Sequence, residues 1–132
     1  MNERLKISFD FDGCLADNKF VQFIAKLCIN ANHDVWIITS RDPSQSNIDV
    51  WTLMEDFNIP KSNVIMTNGT LKVHSFIKHN FDMHFDNSWD EVIPINNAFD
   101  NMPNRKNESM PAFMVNLDSE ELGFAINTIT SR

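Results

Sequence analysis

The chain has 132 residues, 42% of them hydrophobic, with eleven Phe and three Trp but only three Gly and five Pro. That is enough apolar area for one packed domain, and it excludes low-complexity and collagen-like chains. The formal charge is −7 and no run of Lys or Arg forms a basic stripe, so non-specific nucleic-acid binding is disfavoured and any phosphate chemistry must rely on a metal ion and a few local cations.

Residues 5–11 (LKISFDF) are apolar at Leu5, Ile7, Phe9 and Phe11, the period-2 pattern of a strand. Phe20, Phe23, Ile24, Leu27 and Cys28 then fall at helical spacing over 19–29, with Asp17 or Asn18 as N-cap. VWIIT at 35–39 reads as a buried strand. Over 47–58, Val50, Leu53, Met54 and Phe57 share a helical face that Pro60 terminates.

A short strand is expected at Val64–Met66, a turn at Asn68–Gly69, and a helix carrying Val73, Phe76 and Ile77. Phe81–Phe85 alternates like a strand, and 89–99 begins as a helix that Pro94 should interrupt. The polar segment 101–110 reads as a surface loop and Ala112–Leu117 as a strand. Asp118-Ser-Glu-Glu121 resembles a capping box opening a last helix faced by Leu122, Ala125, Ile126 and Ile129.

Strands alternating with helices predict a single domain over 1–132, a three-layer α/β/α sandwich on a mainly parallel, Rossmann-like sheet. Ligands in such sheets bind beyond the carboxyl ends of the strands. Asp10 and Asp12, Thr39, and Asp86 stand there. Gly13 permits a tight turn after the acidic pair. Thr39 either offers a hydroxyl to a phosphoryl oxygen or merely caps the next turn, and it is followed by Ser40 and by Arg41, which reads as a surface residue. Lys72, after the Asn68–Gly69 turn, supplies an ammonium that offsets clustered negative charge. Lys61 and Lys78 are its rivals in sequence.

The order Asp-x-Asp-Gly, strand-Thr, Lys, strand-Asp resembles the haloacid dehalogenase superfamily, on ISFDFDGCLAD, VWIITSR, Lys72 and MHFDNSWDE. The resemblance covers about residues 5–90 and implies a phosphatase acting on phosphate monoesters. It makes Asp10 the nucleophile, Asp12 the general acid and base, and Thr39, Ser40 and Lys72 the phosphoryl-holding residues. It places Mg²⁺ on the Asp10 side chain, the Asp12 main-chain carbonyl and the Asp86 side chain, with Asn87 and Asp90 around it.

Cys14 departs from the commoner Thr or Val, and Asn87 stands where some members have a second Asp. The 26 residues between Asp12 and Thr39, and the 32 between Thr39 and Lys72, leave no room for an inserted cap. An uncapped site implies a phosphorylated substrate that is large, or a partner that closes the site.

Two alternatives are weighed. One is a catalytically silent phosphate-binding or regulatory relative. The other is a receiver-type signalling domain, which the placement of Thr39 and Lys72 before Asp86 argues against. His33, His74, His79 and His84 show no zinc spacing, and His84, on a strand next to Asp86, is read as a surface or internally satisfied residue in preference to one that touches the site. Cys14 and Cys28 fit reduced thiols and a cytoplasmic protein. The charged start lacks a secretory pattern, and no apolar run approaches a membrane span.

Overall fold

The computed structural model describes residues 4–100, 111–115 and 120–131. The elements run β1 (Lys6–Phe9), a wide helical turn (Phe11–Leu15), α1 (Lys19–Asn30), β2 (Asp34–Thr39), α2 (Ile48–Asp56), β3 (Val64–Met66), α3 (Val73–Lys78), β4 (Met83–Asp86), α4 (Trp89–Asp100), β5 (Ala112–Met114) and α5 (Glu120–Thr130). The expected loop over 101–110 and the capping box at Asp118 lie outside the described residues.

Each strand pairs with its neighbours in parallel, in the order β3-β2-β1-β4-β5. The chain leaves β1 toward β2 and β3, then crosses back to β4 and β5. The order therefore reverses between β1 and β4, the switch point where a crevice opens at the carboxyl edge.

Two apolar cores lie on opposite faces of the sheet. Ile7, Phe9, Ile37, Met83 and Phe85 pack with Ile24 and Cys28 of α1, Val50 and Met54 of α2, and Leu122, Ala125 and Ile129 of α5. Phe9, Phe85 and Phe113 stack in sequence across β1, β4 and β5, with centroids 5.0 and 5.3 Å apart. Ile38, Phe81 and Ala112 pack on the other face with Val73 and Phe76 of α3 and Val92, Ile95 and Phe99 of α4. Covering both faces buries all four residues of β4.

Local chemistry sets the helix ends. The Asn18 side chain accepts from the Phe20 and Val21 N–H groups, capping α1. Asn32, Asn58 and Asn80 end α1, α2 and α3 at φ +65°, +58° and +57°. In each case the following N–H returns to a carbonyl of the last turn, as His33 does to Cys28, Ile59 to Met54 and Phe81 to Phe76. Pro94 does not interrupt α4 as the sequence suggested. The helix runs through it to Asp100, with Val92, Ile95 and Phe99 buried on one side. Tertiary packing of that face outweighs the hydrogen bond that proline forfeits.

Candidate active site

The period-2 geometry of β1 and β4 puts Phe9 and Phe85 into one core and turns Ser8, Asp10, His84 and Asp86 to the other face. Ser8 and His84 are register partners. The Asp10 N–H donates to the Phe85 carbonyl at 2.9 Å, extending the pairing one residue past the strand.

After Asp10 the backbone must turn sharply. Gly13 does so at φ +70°, and a Cβ there would meet Asn87 Nδ2 at 2.3 Å. The turn therefore needs glycine for its left-handed conformation, and the Asn87 side chain packs where a side chain at Gly13 would stand.

Lys72 reaches the crevice from the start of α3. The turn before it is fixed by Gly69 N–H donating to the Ser40 carbonyl (2.9 Å) and Asn68 N–H to the Arg41 carbonyl (3.1 Å). The Lys72 ammonium lies 2.6 Å from Asp10 Oδ1 and 2.8 Å from Asp86 Oδ2. All three residues are buried, with Lys72 2%, Asp10 6% and Asp86 0% exposed. Lys61 and Lys78 are exposed.

Glu91, on the first turn of α4, accepts from the Lys72 main-chain N–H at 3.1 Å and stands 4.0 Å from its ammonium. Glu91 is thus the acidic neighbour of Lys72, while Asp90, expected around the metal, is exposed.

Asp86 is held at both oxygens. Oδ2 accepts from Lys72 and from His84 Nε2 at 2.8 Å, and Oδ1 accepts from the Ser88 N–H at 3.1 Å. His84 Nδ1 lies 2.7 Å from Ser8 Oγ. His84 is fully buried beside the site, which the sequence alone left as an internally satisfied or surface histidine.

Asp10, by contrast, is bonded only through Oδ1; among the described residues its Oδ2 has no hydrogen-bond partner. Burial pushes the Asp10 carboxyl up to about 6, with the Asp86 charge adding to the rise and Lys72 opposing it. Burial also works to raise Asp86, but the hydrogen bonds and charges of His84 and Lys72 outweigh it and hold Asp86 below the usual carboxylate range. Burial works against the Lys72 charge, yet the two carboxylates keep its pKa above the ordinary lysine value.

Asp12 is outside this cluster. Its side chain is 58% exposed and accepts a two-pronged contact from Arg41, at 2.7 and 2.9 Å. Arg41 forks in the same way onto Asp49 of α2, at 2.6 and 2.8 Å, and lies over the Phe11 ring. The two carboxylates hold the guanidinium firmly protonated. Arg41 is therefore tied to the site rather than standing free at the surface, as the sequence suggested. Thr39 is buried at the end of β2, its hydroxyl accepting a long 3.4 Å contact from the Arg41 N–H. Ser40 is exposed at the rim.

Asp10, Asp12 and Asp86 present only hard oxygen donors, two buried carboxylates and a main-chain carbonyl. Among the described residues no three His, Cys, Asp or Glu side chains group to hold a metal. Magnesium keeps several waters and needs few protein oxygens, so this donor set fits it. Both carboxylates lie within 3 Å of one nitrogen, so their oxygens are near the span of at most ~4.2 Å that two oxygens on one magnesium require at ~2.1 Å each.

No family model, curated protein or solved structure matches the chain.

Proposed function

We propose that this chain is a magnesium-dependent phosphomonoester hydrolase acting through a phospho-aspartyl intermediate on Asp10. The observation that carries this reading is the ammonium of Lys72 shared by Asp10 and Asp86 at the switch point of a parallel sheet, with Asp10 Oδ2 left without a hydrogen-bond partner among the described residues.

Asp10 Oδ2 attacks phosphorus as the bond to the leaving oxygen breaks, and Asp12 gives that oxygen its proton. Asp12, then a carboxylate, takes a proton from water, which attacks the acyl phosphate and frees Asp10 and inorganic phosphate. Thr39 and Lys72 hold the phosphoryl oxygens throughout. Asp10, Asp86 and the Asp12 carbonyl would hold the magnesium, which when bound neutralises charge on the phosphoryl group.

Between Asp12 and Thr39 the chain holds only the rest of the helical turn, α1 and β2, and between Thr39 and Lys72 only α2 and β3. Neither interval holds a cap domain, which suits a large phosphorylated substrate or closure by a partner.

The Arg41 fork on Asp12 favours a second reading, a silent phosphate-binding protein, because both oxygens of that carboxylate are already engaged by the guanidinium. The Asp12 end of the fork is 58% exposed, however, and solvent and salt screen a pair at such a position. Hydrolysis of p-nitrophenyl phosphate decides between the two. A phosphatase turns it over with Mg²⁺ and stops in excess chelator, whereas a silent protein shows no turnover under either condition.

A further inference from the structure

The phosphatase mechanism makes no use of Ser8 and His84. They sit opposite each other on β1 and β4, behind Asp86 as seen from the crevice. Two apolar residues in register would fill this space without any polar partner. Instead a fully buried imidazole stands there with both nitrogens engaged, Nδ1 to Ser8 Oγ at 2.7 Å and Nε2 to Asp86 Oδ2 at 2.8 Å.

Ionised Asp86 is an acceptor only, so Nε2 must carry the hydrogen of that bond whatever the state of the ring. With the ring neutral, Nδ1 is then the acceptor and Ser8 donates its hydroxyl hydrogen. Ser8 has a second acceptor in the Met83 carbonyl at 3.3 Å, so its hydroxyl can satisfy either nitrogen arrangement. The ring's orientation is thus set from behind and transmitted forward to one carboxylate oxygen.

We propose that His84, backed by Ser8, is a positioning residue for the metal site that fixes the carboxylate plane of Asp86. Three donors from three elements converge on that carboxylate. Lys72 comes from the start of α3 and the Ser88 N–H from the entry to α4. Lys72 also serves Asp10 and the phosphoryl group, and the Ser88 N–H comes from a connecting segment. His84 is the donor anchored inside the sheet. Histidine and carboxylate partners of this kind, one shell behind a metal, typically change metal affinity 10–100-fold when removed. This role rests on Asp86 being a metal ligand, the reading proposed above.

The test is Mn²⁺ binding to the full chain by isothermal titration calorimetry, with no substrate present and folding checked by thermal melting. His84→Leu, which keeps the volume but loses both bonds, should bind Mn²⁺ about 10–100-fold more weakly than wild type. His84→Gln, whose amide N–H stands near the Nε2 position, should recover most of that affinity. His84→Asn, whose amide falls short of Asp86, should not. If the Leu variant does not fold, the Gln and Asn pair decides alone. Equal Mn²⁺ affinity in Gln and Asn, or a folded Leu variant that binds as wild type does, overturns the positioning role and leaves the phosphatase reading standing. A wild-type chain that binds no Mn²⁺ overturns that reading and this role with it.

Discussion

Asp10 and Asp86 come from adjacent strands and share a single ammonium, Lys72 Nζ, at 2.6 and 2.8 Å. Taking that ammonium away leaves two buried carboxylates facing each other. Removing one partner of a buried ion pair costs about 3–5 kcal/mol, so Lys72→Met should lower stability by about that amount in metal-free urea denaturation. Magnesium, binding only the folded site, should restore part of it. A variant as stable as wild type without metal would show that the ammonium does not hold the pair together.

The Asp10 carboxyl, raised chiefly by burial to about 6 from an ordinary 3.8, should titrate near that value in metal-free protein by carbon-13 NMR. Its carboxylate is lost as pH falls through about 6. Because the folded value lies above the unfolded one, this group costs no stability below about 3.8 and lowers stability as pH rises toward 6. Saturating Mg²⁺ should pull the midpoint down, since a cation favours the charged form. A midpoint that ignores Mg²⁺ would remove Asp10 from the metal site.

Gly13→Ala combines a left-handed backbone at φ +70° with a Cβ only 2.3 Å from Asn87 Nδ2. Asn87 can swing aside, but the backbone penalty of about 1–2 kcal/mol stays. Chemical denaturation should show that loss, and turnover should fall as the Asp10–Asp12 turn shifts. Unchanged stability would mean that the turn relaxes without strain.

Cys14 and Cys28 are both buried, and burial pushes each thiol well above the ordinary range, with the Asp10 and Asp86 charges adding to the rise at Cys14. Thiolate is the reactive form, so Ellman's reagent should label neither in native protein and both in denaturant. Rapid native labelling of Cys14 would show the Asp10 turn to be open.

Periodicity made most of the fold legible, because apolar spacing reports which face of an element is buried. The strands and helices before Pro94 follow from it, as does the convergence of Asp10, Thr39 and Asp86 on one sheet edge. Pro94 misleads because one lost hydrogen bond is a local signal, while the burial of Val92, Ile95 and Phe99 is a tertiary one. The Asn32, Asn58 and Asn80 helix stops were not read from the sequence, although asparagine is the residue that best tolerates positive φ after glycine.

Side-chain partners are harder to read. Nothing local distinguishes Glu91 from Asp90, and their one-residue offset rotates the carboxylate about 100° around α4. The Arg41 fork and the Ser8–His84–Asp86 chain each depend on pairings between strands or loops distant in sequence. In hindsight, His84 two residues before Asp86 carried a signal: the same strand face, and therefore the same buried layer.

The central claim is that Asp10 becomes phosphorylated. Wild type, Asp10→Asn and Asp12→Asn should each be reacted with an activated phosphate donor and Mg²⁺, quenched in acid and mapped by mass spectrometry. The account predicts phosphate on Asp10 in wild type and none in Asp10→Asn. Asp12→Asn should keep the metal site and accumulate the modified Asp10, because the base that activates water is gone, with turnover down by roughly 10²–10⁴-fold. Phosphate on an aspartate of Asp10→Asn, or wild-type turnover in both variants, would contradict it.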